Sequence, residues 1–274
     1  MTENPLISRK NIKNSSFLSG ILVILLLLTS LAGILRPEKL YASAELRAAF
    51  LPNDVVNLAL GIPFLILFML QAGRGKPIAQ LLWPGVVLFV TYNALAYAVA
   101  LTGSPFFGLY LLELALSLGI FFILFRAIDA AAVAARVVGK VHEKLVGWVL
   151  LGLGLLILFR NIGVVVGSAG MARSEIGVMA ADLLSIAAWM SAGIWMVGRK
   201  TAGYRMGPAA LFQASLLFLS LIVVMAIQPL FGVGVYGAVD FAVIAFMSLV
   251  CWVPFFLQLQ ALRRALGTEE IESR

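Results

Sequence analysis

Residues 145–167 read LVGWVLLGLGLLILFRNIGVVVG, and this stretch decides the fold class. Its first part, Leu145 to Phe159, is uncharged but is only 15 residues long, whereas a helix needs about 20 residues to cross the hydrocarbon core of a bilayer. Because backbone groups in lipid must all be hydrogen-bonded, the segment must be a helix that continues through Arg160 and Asn161 to the far side. The stretch therefore predicts a spanning helix with an arginine at membrane depth.

Seven further apolar runs have the length of a membrane-crossing helix. Together they predict an all-α, polytopic transmembrane bundle of eight spans that forms a single domain over residues 1–274. Pro63, Pro84 and Pro254 lie inside these runs and each predicts a kink, because neighbouring helices can satisfy the carbonyl group that a proline leaves free. The predicted spans are Phe17–Leu35, Asp54–Gln71, Ile78–Leu101, Phe106–Phe125, Leu145–Gly167, Gly177–Val197, Pro208–Gln228 and Tyr236–Leu259.

The composition excludes an ordinary soluble protein. Of the 274 residues, 62% are hydrophobic and 12% are charged, and the mean hydropathy is +1.04. Soluble domains carry about 25% charged residues, roughly twice the fraction found in this chain. The composition therefore predicts a protein that is embedded in the lipid bilayer. One cysteine and one histidine exclude an intramolecular disulfide framework, haem ligation by two histidines and most zinc sites. The sequence predicts no metal site and no cofactor.

Lysine and arginine are distributed unevenly between alternate loops. One set of loops and ends holds 15 of these residues, the other set holds 4, and Arg160 lies within a span. Since basic residues accumulate on the cytoplasmic side, the bias predicts that both termini are cytoplasmic, in an inner or plasma membrane. The same bias accounts for the net charge of +7, so no nucleic-acid partner is predicted.

The first span leaves an alternative open. Basic residues, an apolar run and Ala42-Ser43-Ala44 also resemble a signal peptide, and cleavage near Glu45 would leave seven spans. The apolar run is longer than a usual signal core and is followed by charged residues, which favours a retained anchor.

Two connecting segments are long enough to carry helices of their own. Tyr41–Leu51, on the outside, predicts a short amphipathic helix that lies on the membrane or caps the bundle. Arg126–Lys144, in the cytoplasm and rich in alanine, predicts a helical extension that leaves the bilayer.

Ionisable side chains inside the predicted spans are the candidates for function, because charges at membrane depth are costly and usually face the bundle interior or a wet cavity. With a rise of about 1.5 Å per residue, all of them fall in the outer half of the bilayer. A polar layer confined to one leaflet predicts a pocket that opens to the extracytoplasmic side and is closed below by apolar side chains. The candidate ligand-binding residues are Glu113, Arg160, Asp182, Asp240, Asn57, Tyr92 and Asn93.

Arg160 has a predicted environment of its own. Gly163 and Gly167 lie three and seven positions further along the helix and form a small-x-x-x-small pattern, which predicts the close approach of another helix. That approach would bring a carboxylate against the guanidinium group. The preferred partners are Asp182 and Asp240, followed by Glu113.

Each candidate also has a simpler interpretation. Asp54 is explained equally well as a helix cap favoured by the positive end of the helix dipole, and the same argument applies in part to Asp182 and Asp240. Arg160 can extend its guanidinium group to the outer headgroups instead of facing the interior. Tyr92 and Asn93 can form hydrogen bonds that hold packed helices together.

Several enzyme classes are excluded by missing motifs. The sequence has no H-E-x-x-H, no C-x-x-C and no glycine-rich phosphate loop, and the predicted spans contain no lysine for a retinal Schiff base. Acid and base chemistry by two carboxylates remains open.

The segments Asp54-Val-Val-Asn-Leu with Pro63, LLWPG at Leu81–Gly85, and Tyr92-Asn93 with Tyr97 resemble a family of prokaryotic multi-pass membrane proteins. The resemblance implies a membrane bundle, and that family carries no assigned activity. It therefore assigns no catalytic or ligand-binding residue to this chain.

Three functional hypotheses remain open. The first is a small transporter or solute-binding membrane protein whose polar layer takes a cationic or polyhydroxylated solute, or a proton-coupled one, with Glu113 as the titrating group. The second is a membrane subunit or scaffold for a partner protein, in which the polar layer only holds helices together. The third is an enzyme that acts on lipid-linked substrates at the outer leaflet.

Overall fold

A computed structural model describes residues 6–167, 170–232 and 237–267, and these residues are helical apart from short connections. A π-helical turn, Asn57–Gly61, joins α3 to α4, and a 3-10 turn, Gln228–Phe231, follows α10. The helices are α1 Arg9–Leu35, α2 Pro37–Leu40, α3 Ala44–Val56, α4 Ile62–Gly73, α5 Pro77–Ala100, α6 Phe107–Ala127, α7 Ala130–Val137, α8 Glu143–Gly167, α9 Arg173–Val197, α10 Thr201–Ile227 and α11 Ala238–Gly267.

Eight of the described helical segments are long and apolar enough to cross a membrane: α1, the continuous α3–α4 segment, α5, α6, α8, α9, α10 and α11. The predicted all-helical, multi-pass architecture is confirmed, although the predicted start of the last span, Tyr236, lies outside the described residues. We call the end of the bundle where α1 begins and α11 ends the basal end. The opposite end, where α3, α6, α9 and α11 begin, is the apical end.

Helices α5 and α10 form the centre of the bundle. In their most apolar stretches 83% and 61% of the residues are buried, more than in any other described span. The two backbones approach closely at Gly85, where a Cβ atom would overlap the carbonyl oxygen of Ala209. Small residues permit this approach, which is the usual basis of helix association in lipid.

Helices α8 and α9 also pack through glycine, but not through the predicted pair. A Cβ atom at Gly147 would lie 3.0 Å from the carbonyl oxygen of Gly193, and a Cβ atom at Gly193 would lie 2.8 Å from that of Gly147. At Gly163 and Gly167 a Cβ atom would meet none of the described residues within 4 Å, so the predicted close contact is wrong for the part of the chain that the structure describes. The buried face of α8 repeats every seven residues at Gly147, Gly154 and Asn161, and Gly163 lies two residues off this repeat.

The second span begins ten residues earlier than predicted. The Ser43 hydroxyl accepts a hydrogen bond from the Leu46 backbone N–H and caps α3. Leu46 and Phe50 are buried, so Tyr41–Leu51 does not form a separate surface helix; most of it is the first two turns of the spanning segment. The cause is the strong N-cap at Ser43, which starts the helix before the apolar run.

The segment Arg126–Lys144 is not an extension of the preceding helix. Helix α6 ends at Ala127, and the Asp129 carboxylate caps a separate short helix, α7. Val133 and Val137 are fully buried, and α7 packs against α10 and α11 at the basal end. An amphipathic helix with buried valines gains more from packing under the bundle than from extending into water.

Candidate functional site

The ionisable side chains of the spans gather in the apical half in two groups on either side of α5. We call Asp54 and Glu113 the acid pair, and Tyr92, Arg160 and Asp182 the arginine group. With a rise of about 1.5 Å per residue, Glu113 and Arg160 both lie roughly 10 Å from the apical ends of their helices. The polar layer predicted from the sequence is present at this depth.

Asp54 lies in the last turn of α3, immediately before the π-helical turn, and is only 1% exposed. Its carboxylate occupies the space beside Gly33 of α1, where a Cβ atom would overlap Oδ2 of the aspartate. Asp54 is far from the N-terminus of its helix, so its interpretation as a helix cap is wrong. It is held in the interior by helix packing.

Two tyrosine hydroxyls donate hydrogen bonds to the two oxygens of Asp54. Tyr41, in the connection before α3, donates to Oδ2 at 2.5 Å, and Tyr97 of α5 donates to Oδ1 at 2.9 Å. Burial, and then the Asp54 carboxylate, raise the pKa of Tyr41 above its usual range, so its hydroxyl stays protonated and keeps donating. Tyr97 also reaches the carbonyl oxygen of Phe50 at 3.1 Å.

Glu113, in the second turn of α6, is 2% exposed and faces the same interior. Thr29 of α1 donates a hydrogen bond to its Oε1 atom at 2.7 Å. Glu113 is near enough to Asp54 for the two carboxylates to interact electrostatically. The hydroxyl of Tyr110, one turn earlier in α6, is buried near both carboxylates and near the Tyr41 hydroxyl.

The acid pair carries no basic partner in the described part of the chain. The ion pairs between described residues lie elsewhere, at Arg160 with Asp182 and at Arg47 with Glu38. Because two carboxylates at low dielectric repel each other, both cannot remain ionised without a neutralising cation. The arrangement is therefore suited to holding a proton or a small cation.

Asn57 and Asn93 connect the π-helical turn to the central helix. The Asn93 amide nitrogen donates to the Asn57 carbonyl oxygen at 2.9 Å, and both side chains are buried. π-Helical turns are uncommon and often mark functional positions. This one places Asn57 one turn after Asp54 on the same continuous segment.

The arginine group lies on the other side of α5. Arg160 forms the ion pair with Asp182 that the sequence predicted as one of two preferred choices, at 2.9 Å, and Tyr92 donates to the other oxygen of Asp182 at 2.9 Å. Arg160 also donates to the side chain of Asn161 at 3.2 Å. The Arg160 side chain is 51% exposed and that of Asp182 is 7% exposed, so the pair lies at the rim of the bundle.

Replacing Arg160 with glutamine should lower the free energy of unfolding by about 1–2 kcal/mol, because a mostly buried Asp182 loses its counterion. The effect stays this small because the Arg160 side chain is half-exposed, which weakens the ion pair. Thermal unfolding is measured in detergent micelles for Arg160→Gln, for Asp182→Asn and for the variant that carries both substitutions. The comparison gives the coupling energy between Arg160 and Asp182. The matched control is Arg47→Gln, whose partner Glu38 is 85% exposed and whose loss should cost less than about 1 kcal/mol. Equal effects of the two arginine substitutions would contradict the prediction.

Asp240 does not join either group. It lies in the first turn of α11, is exposed, and accepts a hydrogen bond from the backbone N–H of Gly237 at 3.1 Å. Its contact is that of a helix cap, so the sequence prediction that it is a partner for Arg160 is wrong. The first turn of a helix favours a carboxylate at its surface, whatever lies inside the bundle.

The polar side chains of the apical half mostly bind one another. An open groove of about 320 Å³ lies elsewhere, in the basal half between α8 and α11, and its lining is apolar. A pocket that opens beside the acid pair to the apical side stays a prediction.

Sequence reasoning missed the partners of the acid pair, which are Thr29, Gly33, Tyr41, Tyr97 and Tyr110. The N-cap signal at Ser43 could have indicated the true start of α3, and would have placed Asp54 in its third turn. Nothing in the sequence indicates that Gly33 lies against this carboxylate, because that contact joins helices from separate spans.

Comparisons of the chain with protein-family models, with curated proteins and with solved structures find no match.

Proposed function

We propose that the protein is a small-solute transporter or solute-binding membrane protein, and that the acid pair with its surrounding hydroxyl groups is the site. The solute is a small cationic or polyhydroxylated molecule, or one that moves together with a proton. Asn57 and Asn93 connect the segment that carries Asp54 to α5. The arginine group lies on the other side of α5 and helps to position the helices.

The observation that carries the proposal is a pair of buried carboxylates without a basic partner among the described residues. An uncompensated charge in a protein interior within lipid costs several kcal/mol, as an order of magnitude. Helix packing alone gives no reason to place two such groups together, whereas a site for a positively charged guest requires them. The hydroxyl groups of Tyr41, Tyr97, Tyr110 and Thr29 supply donors and acceptors for a polar guest.

Glu113 is the member of the pair whose protonation changes during the proposed cycle. Asp54 accepts hydrogen bonds at both oxygens, which stabilise its charged form. Among the described residues Glu113 accepts one hydrogen bond, from Thr29. Among the described residues, Glu113 therefore offers the carboxylate with fewer hydrogen bonds to the proton or cation of the proposed cycle.

The break between α3 and α4 supports a change of access. The π-helical turn interrupts the regular hydrogen-bond pattern directly below Asp54, and Pro63 follows it in the first turn of α4. Broken helices that carry polar groups at membrane depth are typical of transporters, where they bind the solute and allow parts of the helix to move. The break therefore allows α4 to reorient while α3 keeps its contacts with Tyr97.

The proposed orientation follows from charge. Most of the lysines and arginines that connect the spans lie at the basal end, which the positive-inside rule assigns to the cytoplasm. The acid pair then faces the extracytoplasmic side of an inner or plasma membrane, and both termini are cytoplasmic.

Glu113→Gln should abolish uptake, because glutamine keeps the size and polarity of the side chain and cannot exchange a proton or neutralise a cation. Proteoliposomes that contain a pH-sensitive dye are screened against primary amines, quaternary amines and polyols. For any solute that the wild-type protein moves, we expect at least a tenfold lower initial rate, a change of about 1.4 kcal/mol in the barrier. Glu38→Gln, at an exposed site, is the control and should leave the rate unchanged.

An unchanged rate in the Glu113 variant would remove the proposal. A wild-type protein that moves none of the solutes and retains a stoichiometric partner in mild detergent would favour the scaffold hypothesis instead.

A further inference from the structure

A groove lined by apolar side chains lies between α8 and α11 in the basal half of the bundle, away from the acid pair and the arginine group. Its volume is about 320 Å³, and its lining includes Trp148, Gly152 and Leu153 of α8 with Met247 and Val250 of α11. The groove is open on its outer side rather than enclosed, so it suits a chain that lies in it from the surrounding lipid.

The groove exists because α8 is held on its opposite side. Gly147 packs against the backbone of Gly193 and fixes α8 to α9. On the side of α11, a Cβ atom at Gly152 would meet nothing within 4 Å. The glycine therefore leaves a gap that the neighbouring helix does not fill.

The dimensions of the groove match one leaflet. Its α8 lining runs from Leu145 to Leu153, which at about 1.5 Å per residue is roughly 12 Å along the helix axis. Half of a hydrocarbon core of about 30 Å is roughly 15 Å. With the basal surface of the bilayer placed beside Lys144, where the charged residues end, the groove would extend almost to the middle of the bilayer, which is about the depth of one acyl chain.

The mouth of the groove is positively charged. Lys144 is exposed in the first turn of α8, next to Leu145, and Lys140 is exposed in the connection that precedes α8. The neighbouring carboxylate of Glu143 does not neutralise them at the surface, because it is 6% exposed and accepts hydrogen bonds from the backbone N–H of Gly139 at 2.7 Å and from the Tyr204 hydroxyl at 3.2 Å. The two ammonium groups are left facing the headgroup layer, where they attract anionic lipid.

We propose that this groove is a binding site for one anionic phospholipid of the basal leaflet. One acyl chain lies between Gly152 and Met247, Trp148 covers it at the interface, and the phosphate group binds Lys140 and Lys144. The apolar lining recognises the chain, and the lysines select the headgroup charge. The site is independent of the acid pair, since it lies in the opposite half of the bundle.

The test is native mass spectrometry of the full-length protein with phosphatidylglycerol and phosphatidylcholine of identical acyl chains. The wild-type protein should retain one phosphatidylglycerol molecule in preference to phosphatidylcholine. Gly152→Phe fills the groove without a backbone clash and should weaken retention about tenfold. Gly163→Phe is the matched control, since its Cβ is equally unobstructed on the same helix outside the groove, and should retain the lipid as the wild type does.

The headgroup half of the site is tested separately, by a variant that changes only exposed side chains. The double substitution Lys140→Gln and Lys144→Gln should remove the preference for phosphatidylglycerol while retention of phosphatidylcholine stays unchanged. Lys39→Gln, at the apical end, is its control. Equal lipid retention by the wild type and by Gly152→Phe would overturn the proposal. It would also be overturned if the wild type were a dimer, and Gly152→Phe dissociated that dimer while lipid retention stayed the same.

Discussion

Gly85→Leu is expected to prevent α5 and α10 from packing and to lower the free energy of unfolding by about 3 kcal/mol or more. A Cβ atom at this position would overlap the Ala209 carbonyl oxygen and lie 3.0 Å from the carbonyl carbon. The obstructing atoms belong to a helix backbone, which cannot rotate away as a side chain can. The two helices are the most buried spans described, so the separation would spread through the whole core.

The measurement is the yield of monodisperse protein in detergent, with its thermal unfolding midpoint. The matched control is Gly119→Leu in α6, where a Cβ atom would meet nothing within 4 Å and the leucine would project into lipid. If the two variants unfold at the same temperature, the close approach at Gly85 does not hold the bundle together.

Two substitutions of Asp54 are expected to separate its structural role from its proposed functional role. Asp54→Ala removes the acceptor for Tyr41 and one of two acceptors for Tyr97, so we expect a loss of about 2–3 kcal/mol in stability. Asp54→Asn keeps an acceptor of the same size beside Gly33 and should cost less than about 1 kcal/mol. Both variants remove the negative charge, so solute uptake in proteoliposomes should fall at least tenfold in each, about 1.4 kcal/mol.

Asp240→Ala provides the matched control for these variants. Asp240 is another aspartate near the apical end, but it is an exposed cap, so its loss should cost about 0.5–1 kcal/mol and leave uptake unchanged. Full uptake by a stable Asp54→Asn protein would show that Asp54 serves packing alone.

The acid pair and the arginine group differ in how the charge of their buried carboxylates is stabilised. Asp182 is neutralised within the chain by Arg160, at the rim of the bundle where lipid headgroups can screen the remaining charge. Asp54 and Glu113 are surrounded by tyrosine and threonine hydroxyls, which stabilise a charge without cancelling it. Of the two groups, the acid pair is therefore the one that needs a cation from outside.

The candidate site could be predicted only in part from the sequence. The depth of Glu113, Arg160 and Asp182 follows from counting residues along spans, since helices have a fixed rise. Their choice of partner does not, because Asp182 and Asp240 each lie only a few residues into their predicted spans. The structure shows that Asp182 lies well inside α9, against α8, whereas Asp240 lies in the exposed first turn of α11. The helix-cap interpretation of Asp54, one of the two that the sequence leaves open, fails because the helix starts at the cap of Ser43. A shift of ten residues moves Asp54 from a helix end to the interior.

By itself, the sequence determined that the chain forms membrane-spanning helices, how many there are, and which end of the bundle is rich in positive charge. These properties follow from residue composition and from the requirement that backbone groups in lipid pair within each helix, so they are local to each segment. Only the tertiary structure decided that Asp54 and Glu113 both lie against α1, that glycines at 85 and 147 rather than 163 bring helices together, and that Gly152 leaves a groove. Those contacts join residues far apart in the chain, and they depend on how each helix is rotated about its axis, which a nearly uniform apolar surface does not specify.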